Sequence, residues 1–333
     1  MPISRLIFRR LLQLPLILGI IFTLTLALAW AIPGNPLENP EGRQPPREVA
    51  EAMQRRYNLD SFPRFWASYL ASATGIRAAA NAINPPSTTA ITTGFEQDTP
   101  IFDLGPSLQY RDITVNQIIS SSLPVSITVG ATAMIIAVLV GVTAGIVGAL
   151  RPGGVWDTLT LLIALVGISL PSFVTGTILL TIFAVALQWF PVGGWGTPKH
   201  LVLPALTLSL PFAAYIARLT RMGMIETMSA DFIRTARAKG LSEWRVVLSH
   251  ALPNAFLPVL SYLGPACAFA MTGSFVVEVV FAVPGMGQHF VSAVQNKDLF
   301  LLIGVVLVFA TLLIVLNLIV DVLYRWVDPR ISA

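Results

Sequence analysis

Apolar residues run almost unbroken through six stretches of this chain, about 10–32, 118–149, 157–188, 201–226, 254–280 and 299–325, and polar positions collect between them. A helix that crosses a bilayer needs roughly 20 mostly apolar residues, so each stretch predicts one transmembrane helix and the fold class is an all-α membrane protein. The second and third stretches exceed one crossing and should tilt or project into water. Pro204 and Pro211 interrupt the fourth, which predicts a kink there. The pattern divides the chain into an anchor helix at 1–33, a polar segment at 34–116, a core at 117–326 and a tail at 327–333.

The basic residues orient these spans. Arg5, Arg9 and Arg10 precede the first span and place the N-terminus in the cytoplasm. Six crossings then put Arg151, the polar segment 229–253 and the C-terminal Arg325 and Arg330 on the same side. The 34–116 segment falls outside although it holds Arg43, Arg47, Arg55, Arg56, Arg64, Arg77 and Arg111; loops longer than roughly 60 residues translocate regardless of charge. Within it, Val49, Met53, Tyr57, Phe62, Phe65 and Leu70 give an amphipathic helical pattern over 45–72. Residues near 73–100 are rich in Ala, Thr, Ser, Pro and Asn, lack a period and read as an irregular insertion. The basic start and small residues Ala27, Ala29 and Ala31 resemble a cleavable signal, but an apolar run of about 20 residues favours a retained anchor.

Composition agrees with this picture. Charged residues make up 11% of the 333, against about a quarter in soluble domains, and mean hydropathy is +0.74. A net charge of +4 is no nucleic-acid signature. The single cysteine, Cys267, excludes an internal disulfide. Neither Gly-x4-Gly-Lys-Ser/Thr, His-Glu-x-x-His nor Gly-x-Ser-x-Gly occurs, so the sequence offers no ATP-binding P-loop, zinc protease or serine nucleophile, and no cofactor or metal is expected.

The most distinctive element is the segment 229–253. Asp231 or Ser229 can cap a helix, Gly240 suits the left-handed position after it, and Leu241 can supply the accompanying apolar contact. Ser242 then caps a second short helix, with Glu243 in its first turn, and Pro253 closes it. Phe232 and Ala236 form an apolar stripe, while Arg234, Arg237, Lys239 and Arg245 supply cations. A protein groove with an acidic rim would fit this surface, and so would anionic headgroups of membrane lipid. The residues alone leave both open.

A resemblance separates them. Arg234-Thr235-Ala236-x-x-x-Gly240, nine residues, then His250-Ala-Leu252-Pro253 resembles the EAA-x3-G-x9-I-x-LP loop of ABC-importer permeases, with departures at Arg234, Thr235 and His250. Further segments are similar to the B-type subunit of the dipeptide/oligopeptide/nickel branch. They include Pro33-Gly-Asn-Pro36, Asp103-Leu-Gly105-x-Ser107, Ser169-Leu-Pro-Ser-Phe173, Ala214-Tyr-Ile-Ala-Arg218, Val277-Glu278-Val-Val-Phe-Ala-Val-Pro284-Gly285-Met-Gly287 and Val327-Asp-Pro-Arg330. The resemblance implies a type I importer fold and a loop of Asp231, Arg234, Thr235, Ala236, Arg237, Lys239, Gly240, Leu241, Leu252 and Pro253 that docks a separate ATPase. It implies a second permease subunit in a heterodimer, two cytoplasmic ATPase subunits and an extracytoplasmic solute-binding protein. The solute is then a peptide, with nickel or another small solute as alternatives. Glu278, Pro284, Gly285 and Gly287 would belong to a re-entrant outer loop.

Ionisable residues bear on the energy source. Asp157, Arg218, Arg221, Asp321 and Arg325 sit at span ends, where they read as interface anchors or, for Asp321 and Arg325, a local pair. Without a midplane relay an ion-coupled carrier is the weaker alternative, and a non-transporting membrane scaffold is the other. Gly141, Gly145 and Gly148 predict close approach of a neighbouring helix to the second span.

Overall fold

The computed structural model describes residues 3–31, 51–52, 54–55, 57–83, 101–110 and 113–327. The Pro33–Pro36 motif, most of the 73–100 insertion, Val49, Met53 and the tail from Asp328 onward lie outside the described residues, as does the side chain of Arg325. Among the described residues the elements are helical, apart from an isolated bridge between Pro106 and Thr114. Among the described residues four helices are long and apolar enough to cross a membrane, or up to six if each of two bent pairs counts as one span. The chain divides into two compact units: Met1–Leu14, Leu123–Gln288 and Thr311–Ala333 form one, Pro15–Ser122 and His289–Ala310 the other.

In the first unit, α4 (Val115–Leu150, from residue 123) and α7 (Pro198–Met228) are the central helices. Of the three glycines predicted to permit close approach, Gly141 and Gly145 do so against α7, and Gly148 faces the Thr160 hydroxyl. A Cβ on Gly145 would stand 2.5 Å from the Cβ of Thr220 and 2.7 Å from the carbonyl of Ala217, and one on Gly141 would stand 2.7 Å from the carbonyl of Ala213. The expected kink in α7 does not interrupt it, for the helix continues through Pro204 and Pro211.

The third predicted span is instead the broken one: α5 (Val155–Ser169) and α6 (Ser172–Ala186) meet at 106°. Pro171 explains the break. It drives Leu170 to an extended conformation, φ −81° and ψ 126°, and cannot donate to the preceding turn. The fifth span is shorter than expected. After α8 (Asp231–Ala238), α9 (Glu243–Ala255) bends by 55° into α10 (Leu257–Met271), which ends before Gly273, whose φ is +91°. A separate short helix, α11 (Phe275–Val280), begins there with the Ser274 hydroxyl accepting from the Val277 N–H at 3.4 Å. α12 (Met286–Gln295) and α13 (Leu299–Val327) complete the chain.

The second unit is held by aromatic rings. In α1 (Ile3–Ala31), Phe22 stacks on Tyr69 of α2 (Phe62–Ala73) at 5.4 Å, Trp30 meets Phe62 edge-on at 5.8 Å, and the Trp66 indole donates to Thr23 Oγ1 at 3.0 Å. Phe300 packs against Phe65 at 5.3 Å and against Tyr69 at 5.8 Å. The first helix is thus packed into the fold through Phe22, Leu26 and Ala29, all buried. α3 (Ile76–Ile83) follows α2 directly.

Asp298 is the polar centre of this unit and had no sequence signal. Its carboxylate accepts from the Ser107 hydroxyl, from the N–H groups of Leu108 (3.0 Å) and Gln109 (3.3 Å), and from the N–H of Leu301 in the first turn of α13 (3.1 Å). Burial pushes its carboxyl above the ordinary carboxylate range, against the pull of those donors. The Asp103-x-Gly105-x-Ser107 motif acquires a physical meaning here. Asp103 accepts from the Gly105 N–H at 2.9 Å, Gly105 takes φ +86°, and the Phe300 ring occupies the space of its missing Cβ.

Candidate functional site

The segment between α7 and α10 folds as the sequence predicts in outline, most closely at its turn. The Gly240 N–H donates to the Arg237 carbonyl (2.9 Å) and the Leu241 N–H to the Ala236 carbonyl (3.4 Å), the paired bonds of a Schellman C-cap. Gly240 has φ +78°, where a side chain would be strained. Leu241 packs beneath the turn as expected, against the buried cluster formed by Ile233, Ala236, Val246 and Val247 with Ile146 and Ala149 of α4 and Met224 of α7.

Other expectations change. The residue preceding α8 is Ala230, which makes no side-chain cap; Asp231 is the first helical residue, and the Ser229 hydroxyl donates back to the Glu226 carbonyl at 2.7 Å. Ser242 stands at the start of α9 without capping it. Pro253 does not close that helix, which runs on to Ala255 through a π-helical stretch at Val246–Ala251. The apolar stripe is Ile233 with Ala236, not Phe232, which is 46% exposed. Counting i, i+4 from Phe232 missed it because the buried pair is spaced i, i+3.

The outer surface of the loop is therefore Phe232 and Trp244 (65% exposed) among cations. Arg237 is already engaged: its Nε and Nη2 donate to the two Glu243 carboxylate oxygens at 2.8 and 3.1 Å, bridging the Gly240 turn. Arg234 reaches Asp231 at 3.3 Å, and the Thr235 hydroxyl donates to the Asp231 carbonyl. Leu252 packs at the edge of the buried cluster and Pro253 is exposed.

Beside this loop, two residues read separately from the sequence prove to be partners. Arg221 of α7 forms a two-pronged pair with Asp157 of α5 through Nε and through Nη2 (2.8 Å), and Asp157 also accepts from the Gly153 N–H at 2.8 Å. Asp321 likewise meets Arg10 at 2.7 Å.

Glu278 is the other distinctive carboxylate, 2% exposed. It accepts from the Ser126 hydroxyl of α4 at 2.8 Å and from the N–H of Gln288 at 3.2 Å, with the Gly287 N–H also facing it. The same Ser126 oxygen accepts from the Met286 N–H at 2.8 Å. Glycines clear the space: the Glu278 carboxyl occupies the place of a Cβ at Gly285, and one on Gly287 or Gly273 would come within 3.0 or 2.5 Å of it. Pro284 is exposed beside Ala282, whose φ is +48°. Among the described residues no cluster could hold a metal.

These helices define a multi-pass α-helical membrane protein, with a capped polar loop between two of its spans. Residues 137–333 match the family model of the binding-protein-dependent transport system inner membrane component. The chain is 39% identical to the oligopeptide transport system permease protein OppB of Haemophilus influenzae, over 98% of each chain. It is 37% identical to the dipeptide transport system permease protein DppB of Bacillus subtilis, over 94% of this chain and 93% of that one. In fold it is similar to a chain of the MetNI methionine ABC transporter in an inward-facing conformation, at TM-score 0.50 and 18% identity, over 63% of this chain and 96% of that one. The chain belongs to the family of binding-protein-dependent transport system inner membrane components. It is a permease subunit of an ATP-driven importer, and a transport subunit rather than an enzyme.

Proposed function

We propose that the chain carries peptides across the membrane, as part of a heterodimer with a second permease subunit, and that two cytoplasmic ATPase subunits dock on this pair. The named relatives are oligopeptide and dipeptide permeases, which favours peptide over nickel or another small solute. An extracytoplasmic binding protein delivers the solute to the side carrying the Glu278–Gly287 loop. Both termini and the Gly240 loop lie in the cytoplasm, the arrangement favoured by Arg5, Arg9, Arg10 and Arg151.

The observation that carries the reading is the construction of the Gly240 loop. Its inner face is fixed to the ends of α4 and α7 through Ile233, Ala236 and Val246, and its outer face presents Phe232, Trp244 and Lys239. A partner that moves this loop must move the spans with it, which is what alternating access driven from outside the chain requires. Proline at Gly240 cannot adopt φ +78°. Gly240→Pro is therefore expected to insert normally yet fail to co-purify with its ATPase, while Gly240→Ala, strained by about 1–2 kcal/mol, retains partial assembly. Normal ATPase recovery with Gly240→Pro would refute the assignment.

A further inference from the structure

α7 and α10 pack antiparallel. The rings of Tyr215 and Tyr262 approach to 4.5 Å and those of Phe212 and Phe269 to 6.3 Å, while Gly223 lies against Ala255 at the end of α9. Along the seam each helix exposes one continuous face: Tyr215, Arg218 and Met222 on α7, at i, i+3 and i+7, and Ser261, Pro265 and Phe269 on α10, at i, i+4 and i+8. Tyr215 is 40% exposed. Among the described residues Arg218 has no carboxylate partner, although Arg221, one turn on, is paired with Asp157.

The chemistry of this face differs from that of the exposed face of α5 at the same depth. The Asp157–Arg221 pair and the contact of Gly167 with Ala214 set α5 level with this part of α7. Between those two levels α5 exposes Leu162, Ile163 (70%) and Leu165, all apolar, as a lipid-facing surface should be. Arg218 shares a shallow groove with Thr160, Leu161 and Ala164 of α5. A charged group facing hydrocarbon costs up to about 2.5–3.5 kcal/mol at the centre of a span, so an exposed arginine one turn from Tyr215 and, among the described residues, without a carboxylate points to water.

We infer that the Tyr215–Arg218–Ser261 face lines the water-filled translocation path and that the Arg218 guanidinium contacts a carboxylate of the passing solute. The second half rests on the peptide reading above, since a peptide carries a terminal carboxylate. A guanidinium presents a planar fork of donors that matches a carboxylate in two-pronged fashion, and the two tyrosine rings give the adjoining backbone an amphipathic wall without holding it tightly.

The test uses the assembled transporter in native membranes, in a Cys267→Ala background. Tyr215→Cys, Arg218→Cys and Ser261→Cys are each exposed to the anionic thiol reagent methanethiosulfonate ethylsulfonate, beside Leu162→Cys and Ile163→Cys as controls. The path-facing positions are expected to react at least about tenfold faster than the controls, because the reagent needs a thiolate in contact with water. Equal, slow reaction at all five positions overturns the path assignment. Uptake of trialanine and of its C-terminal amide then reads the contact. Arg218→Gln should slow the acid by about tenfold, the loss of one charge-assisted hydrogen bond, leave the amide little changed, and be partly rescued by Arg218→Lys. Equal slowing of both peptides overturns the carboxylate contact. If the unmodified transporter takes up neither peptide, it is the peptide reading that fails, and the thiol reactivities still decide the path.

Discussion

Replacing Glu278 by alanine should loosen the Glu278–Gly287 loop more than any other single change in it. The carboxylate satisfies the buried Ser126 hydroxyl and the part-buried Gln288 N–H. Each buried donor left without an acceptor costs about 1–3 kcal/mol. The vacated space is polar and can admit a water that recovers part of this, so the net loss is about 2–4 kcal/mol. At about 2–4 °C per kcal/mol for a unit of 150–250 residues, the unfolding midpoint should fall by roughly 5–15 °C. Glutamine makes a sharper control. Its amide can donate to the Ser126 oxygen and accept from Gln288, which strands only the Ser126 proton, so Glu278→Gln should cost about 1 kcal/mol. The assay is thermal unfolding of the purified complex, followed by size-exclusion retention at one fixed heating rate because such unfolding is irreversible. An alanine variant that unfolds within 2 °C of the parent would refute the reasoning. A glutamine variant as damaged as alanine would show that the charge, rather than the acceptor, is what the loop requires.

Other outcomes follow from the same structure. Reversing the Asp157–Arg221 pair, Asp157→Arg with Arg221→Asp, should recover most of the uptake that either single change loses; no recovery would mean that the two residues act separately. Phe300→Ala removes a buried ring from the Phe65–Tyr69 cluster and should cost about 3–5 kcal/mol, read as a lower unfolding midpoint with uptake retained at low temperature. Gly145→Leu drives a side chain into Thr220 and the Ala217 carbonyl and should cost at least about 1–3 kcal/mol as α4 and α7 separate, whereas leucine at Gly153, which has open space around it, should be limited to the strain of φ +77°. Comparable expression and stability of the two would count against close helix packing there.

What was legible in the sequence was set by local rules. Length and hydropathy located the spans, and the Gly240 cap followed from a glycine placed between a helical pattern and an apolar residue. The glycine pattern of α4 foretold a close neighbour without saying which helix it would be. Apart from the caps and stripe of the Gly240 loop, the misjudged features depend on partners distant in sequence. Glu278 reads as an interfacial residue until Ser126, 152 positions away, is brought against it. Asp157 and Arg221 lie 64 residues apart, and Ser107 and Asp298 are separated by 191. The broken third span is a different case. Pro171 is visible in the sequence, but one proline weighs little against a stretch of 32 mostly apolar residues.

α4 connects the two loops that matter most to the proposed mechanism. Near one end Ser126 joins the Glu278 latch, and near the other Ile146 and Ala149 enter the cluster under the Gly240 turn. Twenty residues of continuous helix separate Ser126 from Ile146, a rise of about 30 Å, and that distance is close to the thickness of the bilayer core. A helix of this length transmits displacement only if it does not slide against its neighbours. Gly130, Gly141 and Gly145 prevent sliding by bringing the backbone into contact with Ala270, Ala213 and Ala217. Small residues along α4 thus do more than allow tight packing. They bind the strut to the two helices, α7 and α10, whose shared face is assigned to the path, so displacement of the Gly240 loop and opening of that face become one motion.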